Sequence, residues 1–204
     1  MAIKHLYIIR HGETEFNRTG MVQGSGVDSD LNDLGRQQAA AFYAKYNHIG
    51  FDKVYTSMLK RTWQSVAQFI EDGLPWEKHI GLNEISWGLS EGKATNADTD
   101  HVYYNTILAW TQGDDQRSMP GGESPADVAS RQQPILQHIL RHEGESKVLI
   151  CMHGRAMRIL LCQLMGMPLS QMETFMHHNL CLYQLDVDTI TGHVEMKLAN
   201  EKVW

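Results

Sequence analysis

Two distant stretches of the chain end in the same way. Ile8-Ile9-Arg10-His11-Gly12 and Ile150-Cys151-Met152-His153-Gly154 each close a short apolar run with His-Gly. A single histidine at a strand end is ordinarily a satisfied rim residue. Two such ends, with Arg10 beside the first, suggest a shared site. Glycine after each histidine lets backbone approach a ligand with no side chain in the way. Gly154 also opens a helical pattern, whose free N–H groups and dipole favour an anion. Arg61 lies in Ser57-Met58-Leu59-Lys60-Arg61-Thr62, just past a third apolar run. Guanidinium groups grip phosphate or carboxylate oxygens bidentately, so Arg10, Arg61, His11 and His153 together describe a site for a multiply charged anion, with phosphate the obvious candidate.

The elements that must position these residues are short buried strands at residues 6–9, 54–56 and 148–152, alternating with helices. One helix is capped by Asn32 and runs to about Tyr46, and another covers residues 59–71. A third starts at Ser124 as N-cap with Pro125 in its first turn after Gly121-Gly122. The fourth follows His153-Gly154 until Gly166 and Pro168 stop it, and Ser170 with Glu173 reads as a small capping box. Two tail strands, over residues 180–185 and 193–198, are joined at a Thr-Gly turn. The pattern predicts an α/β fold: a three-layer sandwich with a mainly parallel central sheet flanked by helices, one domain over residues 1–204. Ligands in such sheets bind beyond the carboxyl ends of the strands, where strand order reverses.

Composition sets the background. The 204 residues carry 18 Lys plus Arg against 24 Asp plus Glu, a formal charge of −6. That argues against nucleic-acid binding, which leaves a basic footprint. No apolar run approaches a membrane span, and the N-terminus has no signal-peptide pattern. Cys151, Cys162 and Cys181 sit in apolar runs and read as reduced core residues, which points to a cytoplasmic protein.

Arg10-His11-Gly12-Glu13-Thr14 with Asn17 resembles the signature of the histidine phosphatase superfamily, in its phosphoglycerate mutase-like branch. Similarity continues through Gln23-Gly24, Asp28, Leu31 and Gly35, then through Ser57, Leu59, Arg61 and Thr62. It extends over Leu82-Asn83-Glu84 with Gly88 and Glu91-Gly92, Gly121-Gly122-Glu123-Ser124, and His153-Gly154, so it spans nearly the whole chain. The resemblance implies a phosphoglycerate mutase-like fold with His11 as nucleophile, forming a phosphohistidine. Arg10, Arg61 and His153 are then expected to hold the transferring phosphoryl, and Glu84 to protonate the leaving oxygen and later activate water. Asn17, Gln23, Gly24 and Gly154 are expected to contact phosphate or the rest of the substrate. No cofactor and no metal is implied. His177-His178 lacks accompanying ligands at metal-site spacing, and His178-Asn179 reads as bordering the pocket.

Within that family, residues 85–92 look more like the phosphatase version of the segment, and the chain is shorter than the cofactor-dependent mutases it resembles. The expected activity is therefore metal-independent hydrolysis of phosphate monoesters of small metabolites. Phosphoglycerate mutase-type transfer, a phosphoprotein phosphatase and a non-catalytic phosphate-binding module stand as alternatives. A cap is expected over residues 85–120. Tyr103, Tyr104, Trp110 and Met119 are available to line it, although Tyr103 and Trp110 could equally anchor it. Asp98, Asp100, Asp114 and Asp115 make that stretch acidic, which disfavours a bisphosphate. Arg158 reads as a surface or packing residue, and the methionines between Met152 and Met176 as core filler. Monomer and homodimer remain equally open.

Overall fold

The computed structural model describes residues 3–94, 97–202 and 204, with backbone alone for residues 97–100. Its frame is a six-stranded sheet in the order β3-β2-β4-β1-β5-β6. The strands are β1 (Ile3–Arg10), β2 (Lys53–Thr56), β3 (Trp76–Lys78), β4 (Lys147–Met152), β5 (Leu182–Asp188) and β6 (Val194–Glu201). β3, β2, β4 and β1 run parallel, and β5 and β6 complete the sheet antiparallel.

Side-chain alternation divides the core between the two sheet faces. Leu6, Ile8, Val148, Ile150 and Met152 pack with α6 (Pro125–Arg141) and α7 (Gly154–Leu164) on one face. Tyr7, Ile9, Leu149 and Cys151 pack with Phe42 and Tyr46 of α2 (Asp33–Tyr46) and Phe69 of α4 (Ala67–Glu71) on the other. Strands covered on both faces must be apolar throughout, which is why β1 and β4 read as continuous apolar runs. The remaining helices are α1 (Glu15–Thr19), α3 (Lys60–Gln64) and α5 (Ala97–Thr111).

The caps of α2 and α6 are as expected. Asn32 accepts from the Gly35 N–H, and Ser124 forms a reciprocal capping box with Asp127 ahead of Pro125. Two local expectations are corrected and one strand is added. The helix over residues 59–71 is two helices, because the Ser65 hydroxyl donates to the Arg61 carbonyl at 2.6 Å and accepts the Gly12 N–H at 2.9 Å. A serine bonded back to the carbonyl four residues earlier competes with the helical ladder. Ser170 makes no capping bond: Leu169–Thr174 is a 3-10 helix behind Pro168, and Glu173 turns instead to Arg155 and Arg158. β3, an edge strand of Trp-Glu-Lys, carries no apolar alternation and was not anticipated.

Cys151, Cys162 and Cys181 are buried and unpaired. Among the described residues no helix is long and apolar enough to cross a membrane.

Gly35 ties α2 to the chain that leaves β1. A Cβ there would stand 2.1 Å from the Glu13 carbonyl oxygen and 2.8 Å from the Glu13 nitrogen, both backbone atoms. Gly35→Ala is therefore expected to destabilise the fold by about 1–3 kcal/mol. Thermal melting checks this, and an unchanged Tm would contradict the contact.

Candidate active site

The register of the sheet brings the two His-Gly ends together. β1 pairs with β4 up to Arg10 against Met152, so His11 and His153 leave the sheet side by side. The His11 N–H continues the ladder onto the Met152 carbonyl at 3.0 Å. The chain passes from β1 toward β2 on one side and from β4 toward β5 on the other, so the strand order reverses between them. The two buried rings lie 5.1 Å apart between centroids.

Hydrogen bonding selects a tautomer for each ring. His11 Nδ1 lies 2.7 Å from the Gly12 carbonyl oxygen, which can only accept, so Nδ1 carries the proton and Nε2 holds a free lone pair. His153 Nδ1 accepts from Arg61 Nε at 3.2 Å, so its proton is on Nε2, which donates to Ser57 Oγ at 2.8 Å. Ser57 Oγ in turn lies 3.0 Å from Thr62 Oγ1, which donates to the Leu59 carbonyl.

The two arginines are held differently. Arg61 is fully buried, with Nη1 on the Val27 carbonyl at 2.5 Å and Nη2 on the Gly24 carbonyl at 3.1 Å. Burial lowers its pKa to about 10, opposed by the nearby charge of Glu84, so it stays cationic at neutral pH. Arg10 gives Nη1 to His177 Nδ1 at 3.2 Å, while its Nε is buried with no hydrogen-bond partner. A buried guanidinium N–H without a partner is costly, and an anion would satisfy it.

Burial first, then Arg61 and Arg10, hold the His11 pKa well below its ordinary 6.5. Burial, Arg61 and His11 do the same for His153, and burial with Arg10 brings His177 to about 2. All three rings are neutral at pH 7. The unfolded chain takes up protons on these histidines below about pH 6.5 whereas the folded chain does not, so folding stability must fall on acidification. Each such group contributes a slope of about 1.4 kcal/mol per pH unit between its unfolded and folded pKa values. Denaturant melts at pH 7 and pH 5.5 check this. His177→Phe is expected to shrink the difference, and an unfolding free energy independent of pH over that window would contradict the burial of neutral rings.

Glu84 sits where an anion was expected. Its Oε1 accepts the Ala156 and Ile85 N–H groups, each at 2.9 Å, and its Oε2 accepts the Arg155 N–H at 3.2 Å. The carboxylate thus caps the N-terminus of α7, and these helix donors are taken by the protein itself rather than left for a ligand. Gly154 has another use. A Cβ there would come within 2.6 Å of the His177 ring, so glycine makes room for the partner of Arg10. Arg131 braces the segment from behind, with Nη2 on the Glu84 carbonyl at 3.0 Å and Nε on Glu123 at 2.8 Å.

Asn17, Gln23 and Gly24 border this cluster in distinct ways. Asn17 Oδ1 accepts from the Thr14 N–H and from Asn179 Nδ2, each at 3.2 Å, and Gln23 Oε1 accepts from Ser29 Oγ at 2.5 Å. Gly24 supplies its carbonyl to Arg61, and a Cβ there would fall 2.2 Å from Glu91 Oε1. Asn17 and Gln23 also line a cavity of about 440 Å³, together with Trp87, Tyr103, Tyr104 and Met119. Trp110 is instead an anchor, buried with its Nε1 on the Arg117 carbonyl at 2.7 Å. The side chains of Asp98 and Asp100 lie outside the described residues.

Several contributors went unread in the sequence. His177 is the acceptor that orients Arg10. Of the pair His178-Asn179 expected to border the pocket, Asn179 does so, its Nδ2 donating to the His11 carbonyl at 3.0 Å. Leu180 holds a left-handed φ of 51° and gives its N–H to the Arg10 carbonyl at 3.2 Å, a strained turn that pins the end of β1. Arg158 is buried and paired with Glu173, which makes it a packing residue. Among the described residues no group of three or more His, Cys, Asp or Glu is placed to hold a metal ion.

A family model described as histidine phosphatase superfamily (branch 1) matches residues 6–200. Phosphoserine phosphatase 1 of Hydrogenobacter thermophilus is 29% identical over 171 residues, covering 83% of this chain and 80% of its own. Glucosyl-3-phosphoglycerate phosphatase of Mycolicibacterium vanbaalenii is 32% identical over 180 residues, covering 82% and 77%. The murine 6-phosphofructo-2-kinase/fructose-2,6-bisphosphatase 1 is 33% identical over 78% of this chain, but the match spans only 32% of that protein. Among solved structures, a mycobacterial glucosyl-3-phosphoglycerate phosphatase in complex with inorganic phosphate superposes with a TM-score of 0.84 at 25% identity, covering 98% of each chain.

Proposed function

Because the chain belongs to the histidine phosphatase superfamily, branch 1, we propose that it is a metal-independent phosphatase that hydrolyses phosphate monoesters of small metabolites through a phosphohistidine on His11. The observation that carries this reading is the state of His11: neutral, its Nδ1 proton held by the Gly12 carbonyl and its Nε2 lone pair free, beside the buried guanidinium of Arg61 and the half-buried Arg10. Names of relatives that include phosphoserine phosphatase and glucosyl-3-phosphoglycerate phosphatase support hydrolysis.

In this mechanism the monoester enters as its monoanion, with the phosphoryl group between Arg10 and Arg61 satisfying the unpartnered Arg10 Nε, and its proton passes to the Glu84 carboxylate. His11 Nε2 attacks phosphorus as the ester P–O bond breaks. Glu84 gives that proton to the departing alkoxide, which leaves as the alcohol. The carboxylate then takes a proton from water, whose oxygen attacks the phosphohistidine. The P–N bond breaks, inorganic phosphate departs with that proton, and neutral His11 and the Glu84 carboxylate are restored. Catalysis here is mostly positioning and charge neutralisation, which the guanidinium groups and His153 supply. The cap over the organic part of the substrate falls to residues 85–94 and 97–120, within the expected 85–120.

The test is hydrolysis of p-nitrophenyl phosphate in EDTA, with alkaline quenching in detergent to look for phosphate bound to the protein. Turnover in EDTA with an acid-labile, base-stable phosphoprotein supports the reading. Loss of turnover in EDTA, restored by a divalent cation, overturns metal independence. Transfer of phosphoryl to added 3-phosphoglycerate in preference to water would make the protein a mutase.

A further inference from the structure

The cavity that Asn17 and Gln23 line has chemistry of its own. Its described lining includes Phe16, Met21, Val22, Trp87, Tyr103 and Met119, and no charged side chain is among those described residues. The aromatic wall is made of rings packed on one another. Trp87 stacks on buried Trp110 at 6.0 Å between centroids with 28° between planes, and Tyr103 lies 5.5 Å from Trp87. Arg155 lies over both indoles, 5.9 and 5.3 Å from their centroids, and shares the Glu173 carboxylate with Arg158. Its guanidinium is thus engaged by the protein behind the aromatic wall rather than being a lining residue of the cavity.

The polar groups of the lining point to one kind of partner. Asn17 and Gln23 spend their carbonyl oxygens on Thr14, Asn179 and Ser29, which leaves Nδ2 and Nε2 as their donors for a ligand. The Tyr103 hydroxyl accepts from Arg155 Nη2 at 3.4 Å and so keeps its own hydrogen to give. A wall of aromatic faces with neutral donors and no cation suits an uncharged ring bearing hydrogen-bond acceptors. A carboxylate or second phosphate placed there would lose its hydration without a countercharge.

We infer that the substrate is the phosphate monoester of an uncharged, ring-bearing alcohol, with the phosphoryl on the arginine cluster and the ring against Trp87 and Tyr103. This rests on the phosphatase reading above and narrows it: esters carrying a second anionic group are excluded as good substrates.

The experiment compares kcat/KM for three monoesters of primary alcohols with similar leaving groups: 2-phenylethyl phosphate, phosphoserine and 3-phosphoglycerate. The wild-type protein is expected to favour 2-phenylethyl phosphate at least tenfold over either of the others. Met21→Lys, which puts a cation into the lining, is expected to reverse the ranking, raising kcat/KM for 3-phosphoglycerate through KM while that for 2-phenylethyl phosphate falls. Hydrolysis of all three with phosphoserine or 3-phosphoglycerate preferred by the wild type overturns the inference and leaves the phosphatase reading standing. Hydrolysis of none of them, or of p-nitrophenyl phosphate, overturns both.

Discussion

Alanine in place of His11 lowers kcat/KM for p-nitrophenyl phosphate by about 10⁴-fold or more, the scale seen when a covalent nucleophile is removed. The size of the loss follows from what the neighbouring rings are doing. His153 has both nitrogens engaged, Nδ1 by Arg61 and Nε2 by Ser57, and His177 Nδ1 is engaged by Arg10. Neither offers a spare lone pair at the position of His11 Nε2, so no second imidazole takes over. The substitution leaves Arg10 and Arg61 in place, so phosphate binding is expected to persist while turnover is lost. Inorganic phosphate should still raise the Tm of the variant, which separates a missing nucleophile from a collapsed site. More than about one per cent residual turnover in EDTA would show that phosphorus is attacked by another group, and the mechanism would have to be rebuilt around water.

The parts of this arrangement legible in the sequence share one property: each is specified by local chemistry. Apolar runs that end in Arg-His-Gly and His-Gly mark buried parallel strands with polar tips, and the register of β1 on β4 does place those tips together. Asn32 and Ser124 begin their helices because a side-chain acceptor three residues ahead of a free N–H works in any context. What could not be read depends on partners distant along the chain. Ser65 breaks a helix only because Gly12 arrives to donate to it. Glu173 forgoes a capping box because two arginines of α7 compete for its carboxylate. His177 becomes the partner of Arg10 through space left at Gly154, and nothing near His177 signals that. Glu84 was legible only by resemblance; its seat on the N-terminus of α7 is tertiary information.

That seat makes Glu84 the residue whose replacements divide structure from chemistry most cleanly. Glu84→Gln keeps a carbonyl oxygen that can accept the Ile85 and Ala156 N–H groups but turns its amide nitrogen to the Arg155 N–H, so it is expected to cost about 1–3 kcal/mol. Glu84→Ala leaves the N–H groups of Ile85, Arg155 and Ala156 all without their acceptor and is expected to cost more. In activity the order does not follow stability. Both variants lose the proton donor, and both are expected to lose about 10²–10⁴-fold in kcat for an ordinary alkyl phosphate. The leaving group then reports the role directly. p-Nitrophenolate needs no proton to depart at neutral pH, so His11 should still be phosphorylated by p-nitrophenyl phosphate in Glu84→Gln. Without a base to activate water the phosphoenzyme should accumulate, giving a burst of p-nitrophenolate equal to the enzyme concentration followed by slow release. A burst with alkyl phosphates too, or steady turnover of both ester types at wild-type rates, would assign the proton transfers to another group and leave Glu84 as the cap of α7 alone.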